Sequence, residues 1–192
     1  MMMLTVGPPP LPPLGPPWTI RRVSPEDGDA RLVWRWMNEP HVATAWDQAW
    51  TLDKWTAELT AQLSGDHSLP CVAAHEGRDV AYLEIYRVRR DRLAALYASE
   101  PSDLGVHIAV GEAGDTGRGL GSLLLRAVAD GLLAADPACA RVVAEPNVLN
   151  LASVRAFGKA GFRRAGEVAF PHKTAALMVR PRPGHGLTGA QG

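Results

Sequence analysis

Cysteine is nearly absent: the 192-residue chain holds two, Cys71 and Cys139. They stand far apart and form neither a metal-ligand spacing nor a redox pair, so reduced structural thiols and a cytoplasmic location are expected. An excess of one charge sign is equally lacking, because 20 basic residues balance 20 acidic ones. A neutral chain has no bulk attraction for nucleic acid or for an anionic membrane. No apolar run approaches the ~20 residues needed to cross a bilayer. The first residues, MMMLTVG, lack the basic start and apolar core of a signal peptide. No internal repeat is visible.

Proline, in contrast, is concentrated at one end. Seven of the ten residues from Pro8 to Pro17 are proline, which predicts an extended, disordered tail over residues 1–17. The last stretch, residues 182–192, reads as a second disordered tail. One domain over residues 18–181 remains, long enough to bury about two-thirds of its unfolded surface.

Within that domain, Trp18 to Val23 alternates as a strand. Ser24-Pro25-Glu26-Asp27 looks like the capped start of a helix running to Met37, and Thr51-Leu52-Asp53 like the start of a second, through Leu63. Cys71–His75 and Val80–Tyr86 flank a turn and read as a hairpin. A short helix is expected around Asp91–Tyr97. Leu104–Val110 alternates as a strand with Gly105, His107 and Ala109 on one face. The spacing of Leu120, Leu124, Ala127 and Val128 is helical. A strand Arg141–Glu145, a helix Asn150–Ala160 and a hairpin Phe162–Ala169/Thr174–Val179 complete a mixed α/β order.

The stretch DTGRGLGSLLLRAV, residues 115–128, places glycines at the mouth of a helix. A helix N-terminus presents free N–H groups and a partial positive charge, which suit an anion. Gly117, Gly119 and Gly121 remove side chains that would block a diphosphate. Close packing of the turn is the bland alternative. No Gly-Lys-Ser/Thr follows, so this is not a Walker loop.

GRGLGSLLL, together with EPNVLNLASVRAFGKAGF at 145–162, resembles the two signature motifs of the GCN5-related N-acetyltransferases. The resemblance implies an α/β fold with a mixed central β-sheet flanked by helices, and acetyl-CoA or a longer acyl-CoA as cosubstrate with no metal. It implies that Thr116, Gly117, Arg118, Gly119, Leu120, Gly121 and Ser122 hold the diphosphate, with Asn150 steadying the donor loop and capping its helix. Ile108 and Val110 would meet the donor through strand amides. Many members carry a tyrosine near the end of the second motif that protonates the departing thiolate; Phe157 stands there.

The blocks RRVSPEDGDARLVWRWMNEPHVATAW, AYLEIYRVRRDRLAALY, DLGVHIAVGE and RVVAEPNVLN narrow the resemblance to siderophore-biosynthesis acyltransferases of the mycobactin and aerobactin type. That subfamily implies a catalytic pair, His107 and Glu145, with His107 as a base near neutral pH. The acceptor pocket would be lined by Trp46, Tyr82, Glu84 and Tyr86. Trp34, Trp36, Trp50 and Trp55 read as core, and His41 as a helix cap. Tyr82, Glu84 and Tyr86 share one strand face, and a buried charge there would need a partner, an acceptor ammonium being one candidate. The implied substrate is the side-chain amine or hydroxylamine of a lysine- or ornithine-like siderophore precursor, with an acyl carrier protein as a possible donor. Two rivals stay open. An aminoglycoside N-acetyltransferase needs an acidic cleft, for which Glu84, Glu100, Asp103, Glu112 and Asp115 are available. A non-catalytic acyl-CoA-binding protein is compatible with Phe157.

Overall fold

The computed structural model describes residues 7–184. Chain order is β1 (Trp18–Arg22), α1 (Asp29–Met37), α2 (Pro40–Trp46), α3 (Leu52–Ser64), β2 (Ser68–His75), β3 (Arg78–Arg87), β4 (Leu104–Val110), α4 (Leu120–Ala135), β5 (Arg141–Ala144), α5 (Leu151–Lys159), β6 (Arg163–Phe170) and β7 (Lys173–Pro181). The strands form one seven-stranded sheet in the order β1-β2-β3-β4-β5-β7-β6. Neighbours are antiparallel except β4 and β5.

The alternation of each strand sorts its side chains to two faces. One face carries Leu83, Ile85, Leu104, Val106 and Val142 against Leu124, Leu125, Val128 and Leu132 of α4 and Phe157 of α5. On the other face, Val72, Tyr82 and Ala109 pack with Val33, Trp36, Trp55 and Leu59 from α1 and α3. A third cluster, around Tyr86, Val143, Ala175 and Leu177, lies beside it. Trp36 and Trp55 are fully buried, and burying such a large side chain contributes about 1.5–3 kcal/mol. Both cysteines are buried free thiols.

β4 and β5 pair only at Leu104–Val142 and Gly105–Val143. β5 stops at Ala144, and Pro146, two residues on, lacks the N–H that a continuing ladder needs. β4 runs on to Val110 alone, so the sheet opens into a wedge. Gly111 N donates to Val80 O at 2.9 Å, which fixes the alternation: odd positions face β3. Ile108 and Val110 therefore turn their main-chain groups into the wedge. Trp46 Nε1 donates to Ile108 O at 3.3 Å and His41 Nε2 meets Val110 O at 2.8 Å. The carbonyls on this edge are engaged, and its N–H groups point at the gap.

Several expectations need correction. The helix expected from Ser24 is broken: Pro25–Asp27 form a 3₁₀ turn, Gly28 adopts φ 96°, and α1 starts at Asp29. The Asp29 carboxylate accepts from Ser24 N and from Arg21 at 2.9 and 2.7 Å, so the polar anchor lies at Asp29. α2 was not anticipated; Pro40 begins it, at the position where a fixed φ and a missing N–H cost least. His41 lies in its first turn and does not cap a helix end. The segment 91–97 carries only a 3₁₀ turn, Arg92–Ala95, with Asp91 accepting from Leu93 N at 2.8 Å.

The proline-rich stretch expected to be disordered is seated on the body over residues 7–17. Arg87 donates to the carbonyls of Gly7 and Pro8 at 2.9 and 3.2 Å, and pairs with Asp136 at 2.7 Å. Gly131 of α4 makes room for it, since a Cβ there would come within 2.7 Å of Pro13 O. Arg182, expected in the second tail, bonds the carbonyls of Leu133 and Asp136 at 2.6 and 2.8 Å. Residues 1–6 and 185–192, the remainder of the two expected tails, lie outside the described residues.

Candidate active site

Three of the expected residues meet on the α1–α3 face, where β3, β4 and β5 run side by side. Register sets Glu84 opposite His107, and Glu145 follows β5 directly. His107 Nε2 lies 2.6 Å from Glu145 Oε1, and Nδ1 lies 3.2 Å from Glu84 Oε2. The remaining carboxylate oxygens are also engaged. Tyr86 OH donates to Glu145 Oε2 at 2.8 Å, and Tyr82 OH and Gln62 Nε2 donate to Glu84 Oε1 at 2.9 and 3.1 Å. Glu84 thus finds its partners within the protein. Lys173 Nζ stands 3.7 Å from Glu145 Oε1.

A ring with a carboxylate at each nitrogen is satisfied only when both nitrogens carry protons. The electrostatics agree. Burial alone would lower the His107 pKa, but Glu145 and then Glu84 outweigh it and hold it at about 10, against an ordinary 6.5. Burial would raise Glu145, yet His107, Lys173 and Tyr86 bring it down to about 2. Glu84 is lowered too, its burial outweighed by His107, Gln62 and Tyr82. Burial, and then the carboxylates, raise Tyr82 and Tyr86, which stay neutral donors. The expectation of a free neutral base at His107 is thereby revised. The resting cluster is an imidazolium between two carboxylates, with charge −1 before Lys173 is counted. His107, whose side chain is 33% exposed, is its open member.

Aromatic rings frame this cluster. Trp46 meets His107 edge-on at 5.7 Å, and Tyr86 lies tilted beside it at 4.8 Å. The space over Gly105 is taken by the protein itself: a Cβ at 105 would fall inside the Tyr86 ring. Ala109 is buried beneath the α1–α3 cluster. Arg87 turns to the opposite face, toward Asp136.

The donor-side residues gather at the mouth of α4. Gly117 and Gly119 adopt φ 73° and 83°, in the left-handed region that glycine enters without strain. Nothing lies within 4 Å of a Cβ built at either, so close packing does not explain them. A Cβ built at Gly121 would meet Val110 Cγ2 at 3.5 Å, which places the first turn of α4 beside the β4 edge. Thr116, Gly117 and Arg118 are exposed, and Gly119, Leu120 and Gly121 half-buried. The hydroxyls of Thr116 and Ser122 bond back to the carbonyls of Ala113 and Gly119 at 2.7 and 3.2 Å, and Thr116 N donates to Ala113 O at 3.1 Å. Asn150 caps α5, accepting from Ser153 N at 3.1 Å. Phe157 is buried edge-on to Phe162 and offers no proton to a thiolate.

Gln62, Lys173 and His41 belong to this neighbourhood and were not singled out for it. Gln62 and Lys173 sit in an ordinary helix and an ordinary hairpin, with no local pattern to mark them. Among the described residues, no group of three or more His, Cys, Asp or Glu is arranged to hold a metal ion, and no helix is long and apolar enough to cross a membrane.

Residues 26–170 match the family model described as an acetyltransferase (GNAT) domain. The chain is 36% identical over 174 residues to the lysine N-acyltransferase MbtK of a Mycobacterium species, covering 91% of this chain and 71% of that protein. Among solved structures it superposes on an uncharacterized protein from Bacillus halodurans with TM-score 0.80 and 31% identity, over 85% of this chain and 83% of that one. The aminoglycoside acetyltransferase AAC(6')-Ib in complex with coenzyme A follows at TM-score 0.76 and 26% identity, over 86% and 95%. With its splayed sheet, its glycine turn and these likenesses, the chain belongs to the GNAT family, as an acyl-CoA-dependent N-acyltransferase related to the lysine N-acyltransferase MbtK.

Proposed function

We propose that the chain acylates the side-chain amine or hydroxylamine of a lysine- or ornithine-like siderophore precursor. The observation that carries this reading is the Glu84–His107–Glu145 cluster, framed by Trp46, Tyr82 and Tyr86 and facing the open edge of β4. Acyl-CoA supplies an activated thioester. The N–H groups at the start of α4 hold its diphosphate, and those of Ile108 and Val110 face the position of its carbonyl and stabilise the oxyanion. Before His107 can act as a base, its imidazolium releases one proton to solvent. As the acceptor nitrogen bonds to the acyl carbon, its own proton takes that place on His107, beside Glu145. The carbon–sulfur bond then breaks, and the thiolate leaves without a tyrosine donor. An N-hydroxylated amine, less basic than its parent, reaches the site neutral.

Four of the five acids that would build a polycation cleft are already matched to cations. Asp103 is buried and held by Arg141 at 2.7 Å, Glu100 lies 3.8 Å from Arg141, Glu112 pairs with Arg35 at 3.1 Å, and Asp115 with Arg78 at 2.8 Å. The aminoglycoside reading keeps its support from AAC(6')-Ib and loses its electrostatic one.

Free-thiol release separates these readings. Acetyl-CoA and longer acyl-CoAs are offered with lysine, ornithine, their N-hydroxy forms and two aminoglycosides, and an acylated carrier protein is tried as a second donor. Turnover of the lysine or ornithine series is expected. Turnover of aminoglycosides alone overturns the proposal, and donor binding with no turnover on any amine points to a binding protein.

A further inference from the structure

Lys173 opens β7 and reaches back over the end of β5. Its Nζ donates to the Glu145 backbone carbonyl at 2.9 Å and lies 3.7 Å from Oε1, the oxygen that faces His107. The Phe170 ring backs the ammonium at 5.2 Å. The side chain is only 23% exposed, so the ammonium is committed to this place. Two carboxylates and one imidazolium leave the cluster at −1, and Lys173 brings it to zero.

We propose that Lys173 is a positioning residue that fixes Glu145 against His107 and sets the acceptor preference by cancelling the net charge of the cluster. A neutral cluster gives no pull to an ammonium or a polycation, and so favours a neutral hydroxylamine over the parent amine. This preference rests on the function proposed above; the fixing of Glu145 does not.

Glu145 is faced by His107 from β4, Tyr86 from β3 and Lys173 from β7. His107 in turn faces Glu84, which meets Tyr82 on β3 and Gln62 on α3, with Glu58 behind Gln62 at 2.9 Å. Removing one positive charge from this set makes Glu145 easier to protonate.

Two substitutions separate charge from shape. Lys173→Met keeps the apolar stem and loses the charge; Lys173→Arg keeps the charge. In protein labelled with ¹³C-carboxyl glutamate, with the Glu145 signal assigned through Glu145→Gln, the Glu145 midpoint is expected to rise by about one pH unit or more in Lys173→Met. It is expected to stay near its wild-type position in Lys173→Arg. This readout needs no turnover, so it stands whether or not any amine in the panel is acylated. In the thiol assay, the ratio of kcat/KM for an N-hydroxylamine to that for its parent amine is expected to fall about tenfold in Lys173→Met, the equivalent of one pH unit. An unmoved Glu145 midpoint in Lys173→Met overturns the proposal. So does an equal change in the Met and Arg variants, which marks a purely structural side chain. A moved midpoint with an unchanged ratio overturns the acceptor preference and leaves the positioning role.

Discussion

Glu145→Gln and Glu84→Gln each remove one carboxylate from His107, and they are expected to differ. Glu145 makes the shorter contact, 2.6 Å against 3.2 Å, and continues the strand that ends at the wedge. Its loss should lower turnover by about 100-fold, with acyl-CoA affinity by calorimetry unchanged, while Glu84→Gln should cost less. The same pair governs stability against pH. Glu145 is depressed from 4.5 to about 2, so its contribution is complete above pH 4.5 and lost as pH falls through about 2. His107 is raised from 6.5 to about 10, so its contribution is complete below pH 6.5 and lost as pH rises through about 10. The difference in Tm between wild type and His107→Gln should therefore peak between pH 4.5 and 6.5. A difference that keeps growing above pH 6.5 would contradict the imidazolium. His107 and Glu145 are legible in the sequence through their resemblance to a known subfamily. The protonation of the ring is not, because it depends on Glu84 arriving from another strand.

Elements differ in how openly the sequence declares them. β4 is readable to the residue, since Leu104–Val110 alternates without interruption. α4 declares itself by its leucine spacing and α5 by Asn150 and Gly161. α2 escapes because seven residues are too few to show a period, and the break at Gly28 escapes because the Asp29 anchor is tertiary. The glycine turn combines local and tertiary causes. Gly119→Ala should strain the αL position by about 1–2 kcal/mol and weaken acyl-CoA binding; calorimetry and denaturant unfolding measure the two effects separately. Asn150→Ala removes the α5 cap and should cost about 1 kcal/mol by urea unfolding. Gly105 is a quieter signal. A glycine inside a strand marks a close approach, and what approaches here is the Tyr86 ring rather than a ligand.

At the scale of the molecule, the stretch most misjudged by composition is the proline-rich arm. Composition alone suggests a detached tail, whereas Arg87, Asp136 and the notch at Gly131 receive it on the body. Removing residues 1–14 should lower Tm by several degrees, about 2–4 °C for each kcal/mol in a chain of this size, with thiol release little changed. Gly131→Leu should reproduce that loss and expose the arm to limited proteolysis. The open edge of β4 has a bearing on how copies of the molecule meet one another. An unpaired strand edge normally recruits a second strand, which supplies donors and acceptors in alternation. Here Trp46 and His41 have taken the acceptors at Ile108 and Val110. An incoming strand would find only half of its groups answered, whereas a thioester carbonyl needs donors alone. The indole of Trp46 and the imidazole of His41 thus make this edge a poor template for a second strand.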